Sequence, residues 1–318
     1  MQTTSWHPSA SIETLQQRAQ LIKNIRRFFE QRDYLEVETP AMSRFAVTDV
    51  YLNNIEASFR QKTYYLQTSP EYHMKRLLAA GSGPIFQLVK VFRDDELGRW
   101  HNPEFTMLEW YRPGIDHHAL MEEVNQLLRE VLHCPVLIKK TYQQVFKESC
   151  ELDPFMASLS DLRQILTHFG LDGVLPENEV ERDQYLFLLM SHVIEPFLAE
   201  TKAPVAVYDF PASQAALAKT NTAGFAERFE VYYKGVELAN GFHELTDAGL
   251  QSARFHQDNV HRKARGLSVK PIDEYFLQAL NSGLPECSGV ALGIDRLIAL
   301  SLDKPTLADV MAFDFNRA

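Results

Sequence analysis

The sequence predicts an α+β fold built on an antiparallel sheet with helices packed outside it. Three observations carry this. Two pairs of strand-patterned runs are each joined by a polar connection, as hairpins are. Helix-period segments lie between and around them. No internal repeat or low-complexity linker divides the 318 residues, so a single domain over 1–318 is expected.

Ile12, Leu15, Ala19, Ile22, Ile25 and Phe29 recur at helical spacing behind Ser11, a suitable N-cap, and the helix ends near Gln31. Tyr34-Leu35-Glu36-Val37-Glu38 alternates as a strand, and Pro40 stops it. Ile85 to Arg93 and Glu104 to Tyr111 read as a long hairpin around the charged loop from Asp94 to Pro103. A polar helix is expected from His117 to Leu132, and further helical patterning from Ser160 to Ala199, broken at Gly173 and Pro176. Ala226 to Leu245 returns to strand character around a Lys234-Gly235 turn, and Ser288 to Leu300 runs from strand to helix.

Hydrophobic residues make up 45% of the chain and charged residues 23%, values of a folded globular protein. No apolar run approaches the roughly 18 residues that span a bilayer, no leader pattern opens the chain, and the cytoplasm is the expected compartment. Three widely spaced cysteines form no Cys-x-x-Cys pair, which fits a reduced compartment. A net charge of −10 argues against broad nucleic-acid binding, because phosphate neutralisation needs clustered Lys and Arg.

Strand periodicity puts Phe105, Met107, Glu109 and Tyr111 on one face, beside Arg93, Asp95 and His101. Cations next to an aromatic platform suit a nucleotide. If Lys234-Gly235 is a two-residue turn, Tyr232 pairs with Glu237, and Glu230 is a diagonal neighbour on the same face. Such a carboxylate pair suits magnesium bound against phosphates. Glu244 has the opposite parity to Glu237, so a shared site requires a bend, expected at Asn240-Gly241.

Taken in order, these pieces resemble the three signature motifs of class II aminoacyl-tRNA synthetases. Tyr34-Leu35-Glu36-Val37-Glu38-Thr39-Pro40-Ala41-Met42 is similar to motif 1, the dimer-interface strand. Phe92-Arg93-Asp94-Asp95 with His101-Asn102-Pro103-Glu104-Phe105-Thr106 is similar to motif 2, and Gly289-Val290-Ala291-Leu292-Gly293-Ile294-Asp295-Arg296 to motif 3. Within the class, Ser69-Pro70-Glu71 and Asn240-Gly241-Phe242-His243-Glu244-Leu245 resemble lysyl-tRNA synthetases most. The core helix begins close to Met1, so no anticodon-binding domain is expected. A stand-alone lysine-type core resembles the elongation factor P lysine ligases, which attach (R)-β-lysine to a lysine of a translation factor.

The resemblance implies ATP and Mg2+ as cofactors and assigns roles position by position. Arg93 and Arg296 handle the phosphates, with Phe105 under the adenine. Asp94, Asp95, His101, Asn102, Leu238 and Gly293 complete the nucleotide site, and Glu230 and Glu237 hold magnesium. Glu71 meets the reactive-end ammonium, and Glu244 with Tyr111 the side-chain ammonium. Ser69, Pro70, Asn240, Phe242 and Ala291 line the rest of the amino-acid pocket. It also implies a homodimer through motif 1, elongation factor P as acceptor, and tRNA as an unlikely partner. Four departures from the synthetase pattern stand out: Asp95 for the usual glutamate, Trp100 at an often basic loop position, Ser69 for alanine and Ala291 for glycine. The last two alter the amino-acid pocket and point to a shifted ammonium such as that of β-lysine. The competing readings are a trimmed lysyl-tRNA synthetase acting on tRNA and an inactive, synthetase-like regulatory protein.

Overall fold

The computed structural model describes residues 6–94 and 96–318, so the expectation for Asp95 lies outside the described residues. Contacts divide the chain into two compact units, one comprising residues up to His133 with Glu244–Ala318 and the other Cys134–His243.

The first unit opens with α1 (Ile12–Glu30), where Ser11 Oγ accepts the Thr14 N–H at 3.1 Å and so satisfies one of the helix's orphan donors. Its buried stripe is Ile25, Phe28 and Phe29; the Phe29 ring stacks on Phe86 with centroids 4.6 Å apart. Next come β1 (Leu35–Glu36), β2 (Met42–Ser43), β3 (Glu56–Phe59), β4 (Lys62–Leu66) and α2 (Glu71–Ala79), followed by β5 (Ile85–Phe92), β6 (Glu104–Pro113) and α3 (His117–Leu132). β1 is shorter than its alternation implies: it pairs in parallel with β5 at Leu35↔Ile85 and Glu36↔Phe86, and the Val37 N–H to Phe86 carbonyl bond closes the ladder at 2.9 Å. Beyond it Pro40 has no N–H to continue the pairing. β2, β4 and β3 form a small separate antiparallel sheet. β5 and β6 are the expected hairpin, in register from Ile85↔Tyr111 to Phe92↔Glu104.

The second unit contains β7 (Ile138–Thr141), α4 (Tyr142–Cys150), α5 (Leu159–His168), α6 (Arg182–Leu189), a π-helical turn at Met190–Ile194, and α7 (Glu195–Ala199). Then follow β8 (Val205–Pro211), β9 (Phe225–Tyr233) and β10 (Val236–His243). β10-β9-β8 are antiparallel and β7 joins β8 in parallel. Val145, Phe146, Leu162, Leu186 and Leu189 pack with Val205 and Val207 as the core of this unit. The helices break where expected: Gly173 has φ +83, a conformation costly for residues with a Cβ. Lys234 and Gly235 have φ of 51 and 75, both positive as a type I′ hairpin turn requires, and Tyr232 pairs with Glu237.

The chain then returns to the first unit with α8 (Ala248–Ala264), α9 (Glu274–Gly283), β11 (Cys287–Gly293) and α10 (Ile294–Ser301). β11 runs antiparallel to β6 from Cys287↔Pro113 to Gly293↔Met107. That register places Ala291 across from Glu109 and Gly289 across from Tyr111, joining the last motif to the second within this unit.

Candidate active site

The loop between β5 and β6 carries Arg93, Asp94, His101 and Asn102. The Arg93 guanidinium lies 5.2 Å from the Phe105 ring centroid, and its Nη1 is 3.5 Å from Glu96 Oε1. Its Nε is buried with no hydrogen-bond partner among the described residues, an unused donor suited to a phosphate or carboxylate oxygen. Asp94 is exposed, and its N–H donates to the Asn53 carbonyl at 3.0 Å. Asn102 is buried and anchors the loop: its Nδ2 donates to the Glu104 carbonyl at 2.6 Å and its Oδ1 accepts the Phe315 N–H at 3.0 Å. Arg296, in the first turn of α10, donates from Nε to the Trp100 carbonyl at 3.1 Å, and its Nη2 lies 2.8 Å from His101 Nε2. Guanidinium has only donors, so His101 accepts through Nε2 and carries its proton on Nδ1. Burial first, then the Arg296 charge, lowers the His101 pKa and keeps the ring neutral at pH 7.

Beneath this loop lies a clamp that the motif reading passed over. Asp295 is buried; its Oδ2 accepts the Thr106 N–H at 2.6 Å, and its Oδ1 lies 2.6 Å from Arg18 Nη2. Arg18 also reaches Thr106 Oγ1 at 3.2 Å and the Val310 carbonyl at 3.3 Å. One carboxylate therefore ties β6, α10 and α1 together. The available signal was an acid directly before Arg296 at a helix start.

The amino-acid residues assigned to this unit gather around Glu109 and Tyr111 of β6. Pro70 caps α2, and Glu71 and Lys75 lie one helical turn apart, on the same side. The Lys75 ammonium is 1% exposed; it donates to Glu71 Oε1 and sits 2.6 Å from Glu244 Oε2, an ionic contact without the direction of a hydrogen bond. Glu244 is fully buried, and its Oε1 has no hydrogen-bond partner among the described residues. Glu109, 1% exposed, accepts Ser69 Oγ–H at 2.6 Å and Tyr111 O–H at 2.9 Å. Tyr111 thus binds Glu109, where the resemblance pairs it with Glu244 on a side-chain ammonium. Lys75 and Glu109 were absent from the expected site; the i,i+4 spacing of Lys75 from Glu71 was the legible sign.

Three carboxylates here face one ammonium. Burial pushes Glu109 up to about 8, helped by the charge of Glu71 and opposed by the Ser69 and Tyr111 hydrogen bonds and by Lys75. Burial likewise raises Glu244 to about 8; Lys75 pulls it down, while Glu71 and Glu109 push it up. Burial disfavours the Lys75 charge, but Glu244 and Glu71 outweigh it and leave its pKa raised. A buried carboxylate deficient in cations is chemically a seat for an incoming ammonium.

Gly289 is the indispensable glycine of this pocket, because a Cβ there would lie 2.2 Å from the Tyr111 ring and 2.7 Å from Glu244 Oε1. Gly293 is different: the nearest atom a Cβ would meet is Arg296 Cδ at 3.5 Å, an ordinary contact.

In the second unit, Glu230 and Glu237 line one cavity of about 190 Å³ with Arg228, Tyr232, Gln214 and Glu195. Glu230 accepts from Arg228 Nη2 and from Tyr232 O–H. Arg228 also bonds Asn240 Oδ1 at 3.2 Å, and its guanidinium lies 5.9 Å from the Phe242 ring centroid. The expected bend is displaced: the register shifts between Glu237 and Ala239, around buried Leu238, whereas Asn240 and Gly241 remain paired with Glu230 and Phe229. An extra residue at a bulge reverses the parity that follows, so Asn240 and Phe242 come to the face of Glu230. Phe187, Met190 and Phe210 also line the cavity, but two carboxylates turned into it fit a hard, oxygen-seeking cation such as Mg2+, and each Glu230 oxygen retains a lone pair beyond its present hydrogen bond.

A family model described as tRNA synthetases class II (D, K and N) matches residues 5–317. The chain belongs to this family. Class II synthetases are ATP-dependent ligases of the aminoacylation type and use ATP with Mg2+. The class II domain here has the α+β build expected of it, and motifs 2 and 3 meet through the β6–β11 ladder. Among the described residues no helix is long and apolar enough to cross a membrane.

Proposed function

We propose that this protein activates (R)-β-lysine, and α-lysine less well, with ATP, and transfers it to the ε-amino group of a specific lysine of elongation factor P. The observation that carries the reading is the buried acid-rich pocket of Glu71, Glu109 and Glu244, whose unpartnered Glu244 Oε1 calls for a cationic amino acid. A neutral or acidic amino acid would bring no side-chain cation to three acids that share only Lys75. Ala291 lies across from Glu109, and Ser69 donates to that carboxylate; the added methyl and hydroxyl favour an ammonium displaced from the α position.

In the first step a carboxylate oxygen of the amino acid attacks the α-phosphorus, and pyrophosphate leaves with the electrons of the broken P–O bond. Arg93, with its unused Nε–H, stabilises charge on the phosphorus, Arg296 and neutral His101 hold the nucleotide, and Phe105 supports the adenine. Glu230 and Glu237 would hold Mg2+, which neutralises phosphate charge when bound. In the second step the acceptor amine attacks the carbonyl carbon, an amide forms, AMP departs and the amine proton is lost to solvent. Neither step needs a protein nucleophile, so positioning and charge dominate.

A protein acceptor is favoured over tRNA by the net charge of −10 and by Trp100 at an often basic loop position. The two units are proposed to work as one catalytic domain, in a cytoplasmic homodimer formed through motif 1. Pyrophosphate exchange with α-lysine and (R)-β-lysine, followed by mass measurement of elongation factor P and of tRNA, tests the reading. The expected result is preference for (R)-β-lysine and a lysine-sized adduct on the protein. Preference for α-lysine with label on tRNA refutes it.

A further inference from the structure

Lys75 occupies an unusual position for a structural residue. Its ammonium, with almost no solvent contact, bridges the two acids assigned to the two ends of the substrate, Glu71 on its own helix and Glu244 far along the chain. It leaves Glu109 to its two hydroxyl partners, and while its ammonium contacts Glu244 Oε2, Glu244 Oε1 has no hydrogen-bond partner among the described residues and packs against the Gly289 backbone. Three acid side chains here share one resident cation. A diamino monocarboxylic acid supplies two ammonium groups, and a neutral amino acid supplies one.

We propose that Lys75 is a specificity-determining positioning residue: by filling the position between Glu71 and Glu244, it leaves Glu244 Oε1 as the seat for the distal ammonium of a diamino acid. The inference rests on the diamino-acid reading above. Without Lys75 an incoming ammonium has two competing seats, and the reactive carboxylate is presented out of place.

Lys75→Ala removes three methylenes and the ammonium, so propylammonium restores the missing atoms. Wild-type protein is assayed first by pyrophosphate exchange; if no diamino acid supports exchange, the functional reading fails and this inference falls with it. With that activity in hand, Lys75→Ala is expected to lose at least tenfold in kcat/KM for the diamino acid, with KM for ATP within twofold. Millimolar propylammonium should recover at least fivefold, and propanol should not. A folded Lys75→Ala variant with kcat/KM within twofold of wild type, or one indifferent to propylammonium, overturns the proposal. If Lys75→Ala does not fold, Lys75→Met keeps the apolar stem: a tenfold loss confined to the diamino acid supports the role, and wild-type kcat/KM overturns it. Failure of both variants to fold marks Lys75 as purely structural and also overturns it.

Discussion

Gly289→Ala is the most informative single-atom addition to this protein. The new methyl carbon would stand 2.2 Å from both Cδ1 and Cε1 of Tyr111 and 2.7 Å from Glu244 Oε1. Carbon atoms pack best about 3.5–4.0 Å apart, so the ring must retreat by about 1.3 Å or more. Tyr111 is 3% exposed and has no solvent side into which to swing. Overpacking of this kind costs about 1–3 kcal/mol. The retreat also stretches the 2.9 Å Tyr111–Glu109 hydrogen bond. Such a bond contributes about 0.5–1.5 kcal/mol. The variant should therefore melt several degrees below wild type, at about 2 °C or more per kcal/mol for a chain of this size. Displacing pocket groups by about 1 Å should also cut kcat/KM for the amino acid by about 10²-fold. Differential scanning calorimetry and pyrophosphate exchange read the two effects. A Gly289→Ala protein that melts within a degree of wild type and keeps its KM for the amino acid refutes the close-packed pocket.

Glu109 and Glu244 have pKa values raised to about 8, so the folded state binds more protons than the unfolded chain between the ordinary carboxylate range and pH 8. Their contribution to stability therefore falls as pH rises through that window and levels off above it, with a slope of up to about 1.4 kcal/mol per pH unit for each group. Glu109→Gln should flatten the decline, and identical wild-type and variant melting curves from pH 5 to 8 would count against the buried cluster. Asp295→Ala should destabilise by about 3 kcal/mol in urea titration, because it removes the carboxylate from a partly buried Arg18 guanidinium and leaves it only the Thr106 and Val310 oxygens. A loss below 1 kcal/mol would mean that the clamp is dispensable. Glu237→Gln should raise the Mg2+ concentration for half-maximal pyrophosphate exchange by at least about tenfold, the loss typical even of an outer-shell partner. An unchanged Mg2+ titration removes Glu237 from the metal site.

Much of the architecture was legible because it depends on local chemistry. Ser11 caps α1, His117–Leu132 is the third helix, and Lys234-Gly235 makes the expected turn with Tyr232 opposite Glu237. Side-chain period, capping oxygens and positive-φ turn residues act within a few positions and are written in order along the chain. The bend expected at Asn240-Gly241, to bring Glu244 to the parity of Glu237, forms instead as a bulge around Leu238, although Asn240-Gly241 carries the compositional signal. Which residue is squeezed out of a ladder depends on both strands and on what packs against them.

The sequence by itself determined the motif order, the hairpins and the identity of the charged residues, because each of these needs only neighbours a few positions away. The tertiary structure decided which charges meet. Lys75 meets Glu244, 169 positions further along the chain, and Arg18 grips Asp295. Partners so far apart are set by the packing of α2 and the register of β6 against β11. Burial then makes each pairing consequential by removing the water that would otherwise screen it.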